Sequence, residues 1–151
     1  MKRIILISLL TLSIVFNTNS RNTNHPIASE EEQIEAAIQG YIVNFFLNKY
    51  DEMEVHLHEE LSKRGVNSNG KLNENVSKAA LKEMMQNKQV LPLSAQKNVV
   101  TEIKIDKRVA TAILDTGYPR TRWKEYVHLA KLDGKWVIMD VFWCFEKMEE
   151  E

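Results

Sequence analysis

The sequence predicts an α+β domain in which a cupped antiparallel sheet is closed by helices. Three observations predict it. Residues 123–145 read as two long apolar-rich strands joined by Asp133-Gly134. That dipeptide is a strong hairpin signal, because a type I′ turn needs φ > 0 at both central residues. Two alternating strand-like runs stand just upstream, and an amphipathic helical pattern precedes them all. A cup of this kind has room for a small molecule.

The elements follow in order. Residues 1–20 carry Lys2 and Arg3, an apolar run over 4–16, and a small polar stretch over 17–20. This is the pattern of a secretory signal peptide, and the run is short for a membrane span. The expectation is a secreted or periplasmic protein with no membrane association once the signal is removed. Residues 21–28 form a short polar leader. The domain is expected over 29–146, and 147–151 is an acidic tail. Ser29 with Glu32 three residues on is a capping box, and it opens the first helix. Ile34, Ala37, Ile38, Tyr41, Ile42, Phe45 and Phe46 then repeat at steps of three and four on one face. Asp51 with Glu54 suggests a second capping box. Met53, Leu57 and Leu61 extend that helix to Lys63 or Arg64, with Gly65 as the residue after its end. Asn69-Gly70 marks a turn, with a small hairpin as one form of it. Ser77 caps a third helix whose buried side is expected to be Ala80, Leu81, Met84 and Met85, and Val76 before the cap forms a staple with Leu81.

The remainder reads as a four-strand meander. Its strands fall near 99–106, 109–116, 122–132 and 135–145. On the last of these, Val137, Met139, Val141, Trp143 and Phe145 alternate with Trp136, Ile138, Asp140, Phe142 and Cys144. Both sets are apolar, which predicts that both faces are covered, one by helices and one by a second subunit. On the preceding strand Tyr126 and His128 share one face, and Trp123, Glu125, Val127 and Leu129 share the other; the inward face is open at this level.

Composition removes several functions. The formal net charge of -1 provides no basic field for nucleic acid. The one cysteine, Cys144, excludes an internal disulfide and a lipid-attachment site at the signal junction; its apolar strand predicts a small core residue. His56 and His58 stand two apart, a spacing that on a helix points them away from each other, so no metal site is expected. No nucleophile elbow or glycine-rich phosphate loop occurs, and no cofactor is expected.

Three helices followed by a meander, with NKYDEM at 48–53, HEELSKRG at 58–65 and EYVHLAKLDGKWVIMDVFW at 125–143, resemble the nuclear transport factor 2-like superfamily. Within it they resemble the subgroup called "putative lumazine-binding". The resemblance covers roughly residues 30–145 and implies a cone-shaped, cystatin-like sheet wrapped around the N-terminal helices. It also implies a pocket in the cone, with HEELSKRG near its mouth. Members of the superfamily include enzymes, binding proteins and dimers formed through the open sheet face.

Candidate pocket residues are Tyr41 and Phe45 from the first helix, with His58, Arg64, Tyr126, His128 and Asp140. Arg64 either lies at the surface or offers a planar fork to an anion. Tyr126, if inward, orients a ligand through its hydroxyl; if outward, it belongs to a dimer surface. Asp140 between Ile138 and Phe142 is either paired with a neighbour or held as a general base by burial. The leading expectation is an exported, noncatalytic, homodimeric protein that binds a small apolar or aromatic molecule. One alternative is an acid–base enzyme of the isomerase, dehydratase or cyclase type using Asp140, His58 or Tyr126. Another is a protein-interaction module acting through its sheet face. Two ionisable groups hydrogen-bonded to each other inside the cavity would favour the enzyme.

Overall fold

A computed structural model describes residues 28–146. The signal peptide expected over 1–20, most of the leader and the acidic tail over 147–151 lie outside the described residues. Helix α1 spans Glu30–Leu47, and its capping box forms as expected. Ser29 Oγ accepts from the Glu32 amide at 3.2 Å, and Glu32 Oε2 accepts from the Ser29 amide at 2.7 Å. Ile34, Ile38, Tyr41, Ile42 and Phe46 form the buried stripe of the helix. They pack with Leu114, Val127, Leu129, Ile138 and Val141 from the sheet into one core. Burying side chains of this size contributes about 1.5–3 kcal/mol each. Glu30, in the first turn, accepts from Trp136 Nε1 at 2.6 Å and pairs with Lys131, which fixes the start of α1 to the final hairpin.

The expected second helix is corrected. Helix α2 is only Tyr50–Glu54, with Lys49 at the N-cap and no side-chain cap bond, so the Asp51 capping box does not form. The next segment, Leu57–Val66, is strand β1. The four-residue repeat of Leu57 and Leu61 fits a helix, but four is also a multiple of the strand period of two. Pairing with a distant strand decides between them: β1 runs parallel to the last strand, with Lys63 opposite Val141 and Gly65 opposite Trp143. Gly65 is therefore no helix terminator. A Cβ there would stand 2.1 Å from the Trp143 carbonyl oxygen, so the close approach of the two strands requires glycine.

After β1 the chain makes the small hairpin signalled by Asn69-Gly70. Val66 bridges Leu72, and Lys63 exchanges backbone hydrogen bonds with Val76. Helix α3, Lys78–Met85, is capped by Ser77, whose Oγ accepts from the Ala80 amide at 3.2 Å. Then come β2 (Lys97–Asp106), β3 (Val109–Tyr118), β4 (Thr121–Leu132) and β5 (Lys135–Glu146). The sheet order is β1-β5-β4-β3-β2, with every pair antiparallel except β1 with β5. The mostly antiparallel sheet is curved, and α1 contacts it at both β2 and β5. Asp133 and Gly134 have φ of 48° and 80°, as a type I′ turn requires.

Strand β5 carries an irregularity that its alternation does not announce. His128 pairs with Asp140 and Leu129 with Ile138, so Met139 is an extra residue, a bulge. The inward parity changes there. Trp136 and Ile138 are buried before the bulge, and Val141 after it, with Trp143 on the same inward side. Each of the two sequence alternations therefore supplies the inner face over half of the strand. Cys144 falls on the outer parity and is exposed, contrary to the expected core position.

Candidate functional site

A cavity of about 250 Å³ lies between the C-terminal half of α1 and the inner face of the sheet. Ile42, Phe45 and Phe46 of α1 form one wall, and Trp123 of β4 and Trp143 of β5 form another. The hairpin after β1 contributes Asn73, Glu74 and Val76, and α3 contributes Leu81 and Met84. Asn73, Glu74 and Met84 are exposed and mark the mouth. The backbone bonds between Lys63 and Val76 hold the hairpin in this position. Aromatic edges make the walls stiff: Trp123 meets Tyr118 at 5.6 Å and Phe145 at 6.4 Å between ring centroids.

Inside the mouth formed by Asn73 and Glu74, three polar side chains interrupt this apolar lining: Lys63, Glu125 and Thr116. Thr116 Oγ1 donates to Asn98 Oδ1 at 2.7 Å, so its hydroxyl proton is already in use. Lys63 and Glu125 form an ion pair at 2.7 Å, with side chains only 11% and 7% exposed. Tyr41, fully buried, closes the triangle from behind. Its hydroxyl accepts from Lys63 Nζ at 2.6 Å and donates to Glu125 Oε2 at 3.1 Å. Burial first, and the Glu125 charge second, push the Tyr41 pKa well above its ordinary value of 10. The phenol therefore stays protonated and acts as a fixed donor.

Each side chain's place follows from strand parity. Lys63 is two residues from both Leu61 and Gly65, which are buried, so it shares their inward face. Glu125 lies between Trp123 and Val127 in the same alternation on β4. Both carboxylate oxygens carry a protein donor, and two of the three Lys63 N–H groups are used. What faces the cavity is a small polar spot in an apolar chamber. It offers one remaining ammonium donor and the free lone pairs of a carboxylate.

Of the residues nominated from the sequence, Phe45 lines the cavity and Tyr41 supports it from behind. The other five lie elsewhere. His58 is a partly exposed residue of β1 whose Nδ1 accepts from the Glu60 amide at 3.1 Å. Arg64 is exposed on β1, one residue out of phase with inward Lys63. Tyr126 is 44% exposed on the outer face. His128 and Asp140 sit opposite each other on that face, 3.1 Å apart. Asp140 is thus paired with a neighbour, the first of the two readings given for it. The sequence reading missed Lys63, Glu125, Trp123 and Trp143. For Glu125 and Trp123 the signal was present, since they share an alternation with Val127 and Leu129 that only needed to be assigned to the inside.

Among the described residues, no group of three or more His, Cys, Asp and Glu side chains is placed to hold a metal. No helix among them is long and apolar enough to cross a membrane.

The family described as "putative lumazine-binding" matches residues 29–144. Several solved structures share the fold. A nuclear transport factor 2-like protein of unknown function from Methylobacillus flagellatus is 20% identical with a TM-score of 0.66, over 80% of this chain and 96% of that one. A similar protein from Shewanella baltica is 17% identical with a TM-score of 0.66, over 81% and 100%. A ketosteroid isomerase-like protein from Erwinia carotovora atroseptica is 13% identical with a TM-score of 0.60, over 81% and 100%. No curated protein matches the chain. At these identities the structural likeness concerns the fold. With the family match over most of its length, the chain belongs to the family described as "putative lumazine-binding" and has the nuclear transport factor 2-like fold.

Proposed function

We propose that this chain is an exported protein that binds a small, flat, largely apolar molecule in the cavity and does not transform it. The observation that carries the reading is an aromatic-walled chamber in which, inside the polar mouth of Asn73 and Glu74, Lys63 and Glu125 form one charged spot. Ligand sites commonly have this form, with apolar walls and a few placed polar groups that fix orientation. The volume of about 250 Å³ lies just below the usual range of roughly 300–1,000 Å³, so a one- or two-ring molecule fits better than a larger one. The family description points to lumazine, a flat bicyclic heterocycle of about that size. Export rests on the signal-peptide pattern of residues 1–20. A homodimer through the outer sheet face is part of the same reading. It is supported by Tyr126 and Phe142, which are paired neighbours on that face and provide apolar area between charged flanks.

The acid–base enzyme has one observation in its favour: two ionisable groups do meet by a hydrogen bond in the cavity. The arrangement suits anchoring better than proton transfer. Glu125 is held by two protein donors, and Tyr41 keeps its proton. The test is titration of residues 29–146 with lumazine, followed by quenching of tryptophan fluorescence and recovery of the compound. Binding predicts saturable quenching and unchanged lumazine. Linear, non-saturating quenching contradicts the reading, and a chemically altered product would support the enzyme instead.

A further inference from the structure

We infer that the Lys63–Glu125 pair reads the cis-amide edge of its ligand, so that the ligand class is a flat lactam or imide. This rests on the binding reading above and specifies it. Two side chains of the cavity lining bring a donor and an acceptor side by side, Lys63 Nζ and Glu125 Oε1, 2.7 Å apart. A cis-amide in a ring carries an N–H and a C=O in the complementary order. Bond lengths of 1.23 and 1.33 Å with an angle of about 120° put its nitrogen and oxygen about 2.2 Å apart. Two nearly parallel hydrogen bonds can therefore form, N–H to Glu125 and Lys63 to C=O.

The capacity for both bonds is present. The ammonium has three N–H groups and the protein uses two; the carboxylate has about four acceptor sites and the protein uses two. Tyr41 lies behind both groups and off the cavity lining, so it positions the pair without blocking it. Other ligand classes fit less well. A carboxylate ligand would meet Glu125, and a cation would meet Lys63. A pure hydrocarbon would cover both charged groups and return no hydrogen bond, which is costly in a chamber this apolar. The pair as a whole is neutral, which suits a neutral ligand with a polar edge.

The experiment compares lumazine, 1,3-dimethyllumazine and 2-naphthoate by calorimetric titration of residues 29–146 and of the double variant K63M/E125L. The dimethyl compound keeps the flat bicycle and loses both amide N–H groups. The wild type is expected to bind lumazine at least tenfold more tightly than either comparison compound. In K63M/E125L the preference over dimethyllumazine should fall below about twofold, because an apolar pair has no edge to read. Equal affinity of the wild type for all three compounds overturns the inference while leaving a binding cavity in place. A tenfold preference that persists in the double variant also overturns it, since size rather than hydrogen bonding would then discriminate. Absence of binding by every compound removes the binding reading and this inference with it.

Discussion

Replacing Lys63 by Met tests the polar spot through stability alone, with no ligand. Met keeps most of the length and the apolar stem of lysine but leaves Glu125 with the Tyr41 hydroxyl as its only protein partner. Glu125 is 5% exposed, so the ammonium's place can be taken only by water held in the cavity, not by bulk solvent. Removing one partner of a buried ion pair costs about 3–5 kcal/mol, most of it from the stranded charge. With a urea m-value of about 1.5 kcal/mol/M for a domain of this size, the unfolding midpoint should fall by roughly 2–3 M. The double variant K63M/E125L removes both charges and should return to within about 1 kcal/mol of the wild type. The assay is equilibrium urea unfolding of residues 29–146 and the two variants, followed by tryptophan fluorescence. A K63M midpoint within about 0.5 M of the wild type would refute the reasoning, as would a double variant no better than the single one.

Three further outcomes are expected. Burial lowers the His56 pKa below its ordinary value of 6.5, so neutral His56 favours the fold above that value, and its contribution is lost as pH falls through the folded-state pKa. Urea midpoints should therefore fall between pH 7 and pH 5, and His56→Gln should flatten that slope; an identical slope in the variant would contradict the assignment. Gly65→Ala places a Cβ 2.1 Å from a backbone oxygen and 2.3 Å from the Trp143 ring, and should cost about 3 kcal/mol in thermal or urea unfolding. A neutral outcome would mean that β1 does not approach β5 so closely. Tyr126→Asp with Phe142→Asp puts charge on the outer face. The wild type should have the mass of a dimer by light scattering and the variant that of a monomer, whereas a monomeric wild type would remove the dimer from the proposal.

Elements with local signals were legible in the sequence. The Ser29 and Ser77 caps, the α1 stripe and Asp133-Gly134 each act within a few residues, and each forms where expected. Strand β1 was not legible, because Leu57 and Leu61 satisfy both periods and the deciding partner, β5, lies more than seventy residues later. The bulge at Met139 was hidden for a related reason. Two apolar alternations on one strand hide the phase change between them. The site depended on both. Lys63 sits on the strand read as a helix, and Trp143 lies beyond the bulge. Glu125 could have been found, since its alternation with Val127 and Leu129 is unbroken. The polar residues on the opposite face, Tyr126 and His128, drew the chemical reading outward.

The most direct measurement of the central claim follows the three indole N–H signals of the chain by ¹H–¹⁵N spectroscopy during titration with lumazine. Trp123 and Trp143 line the cavity, whereas Trp136 is bonded to Glu30 away from it and serves as an internal control. The account predicts saturable shifts of the Trp123 and Trp143 signals with Trp136 unmoved. Shifts confined to Trp136, or no shift in any of the three, would contradict it.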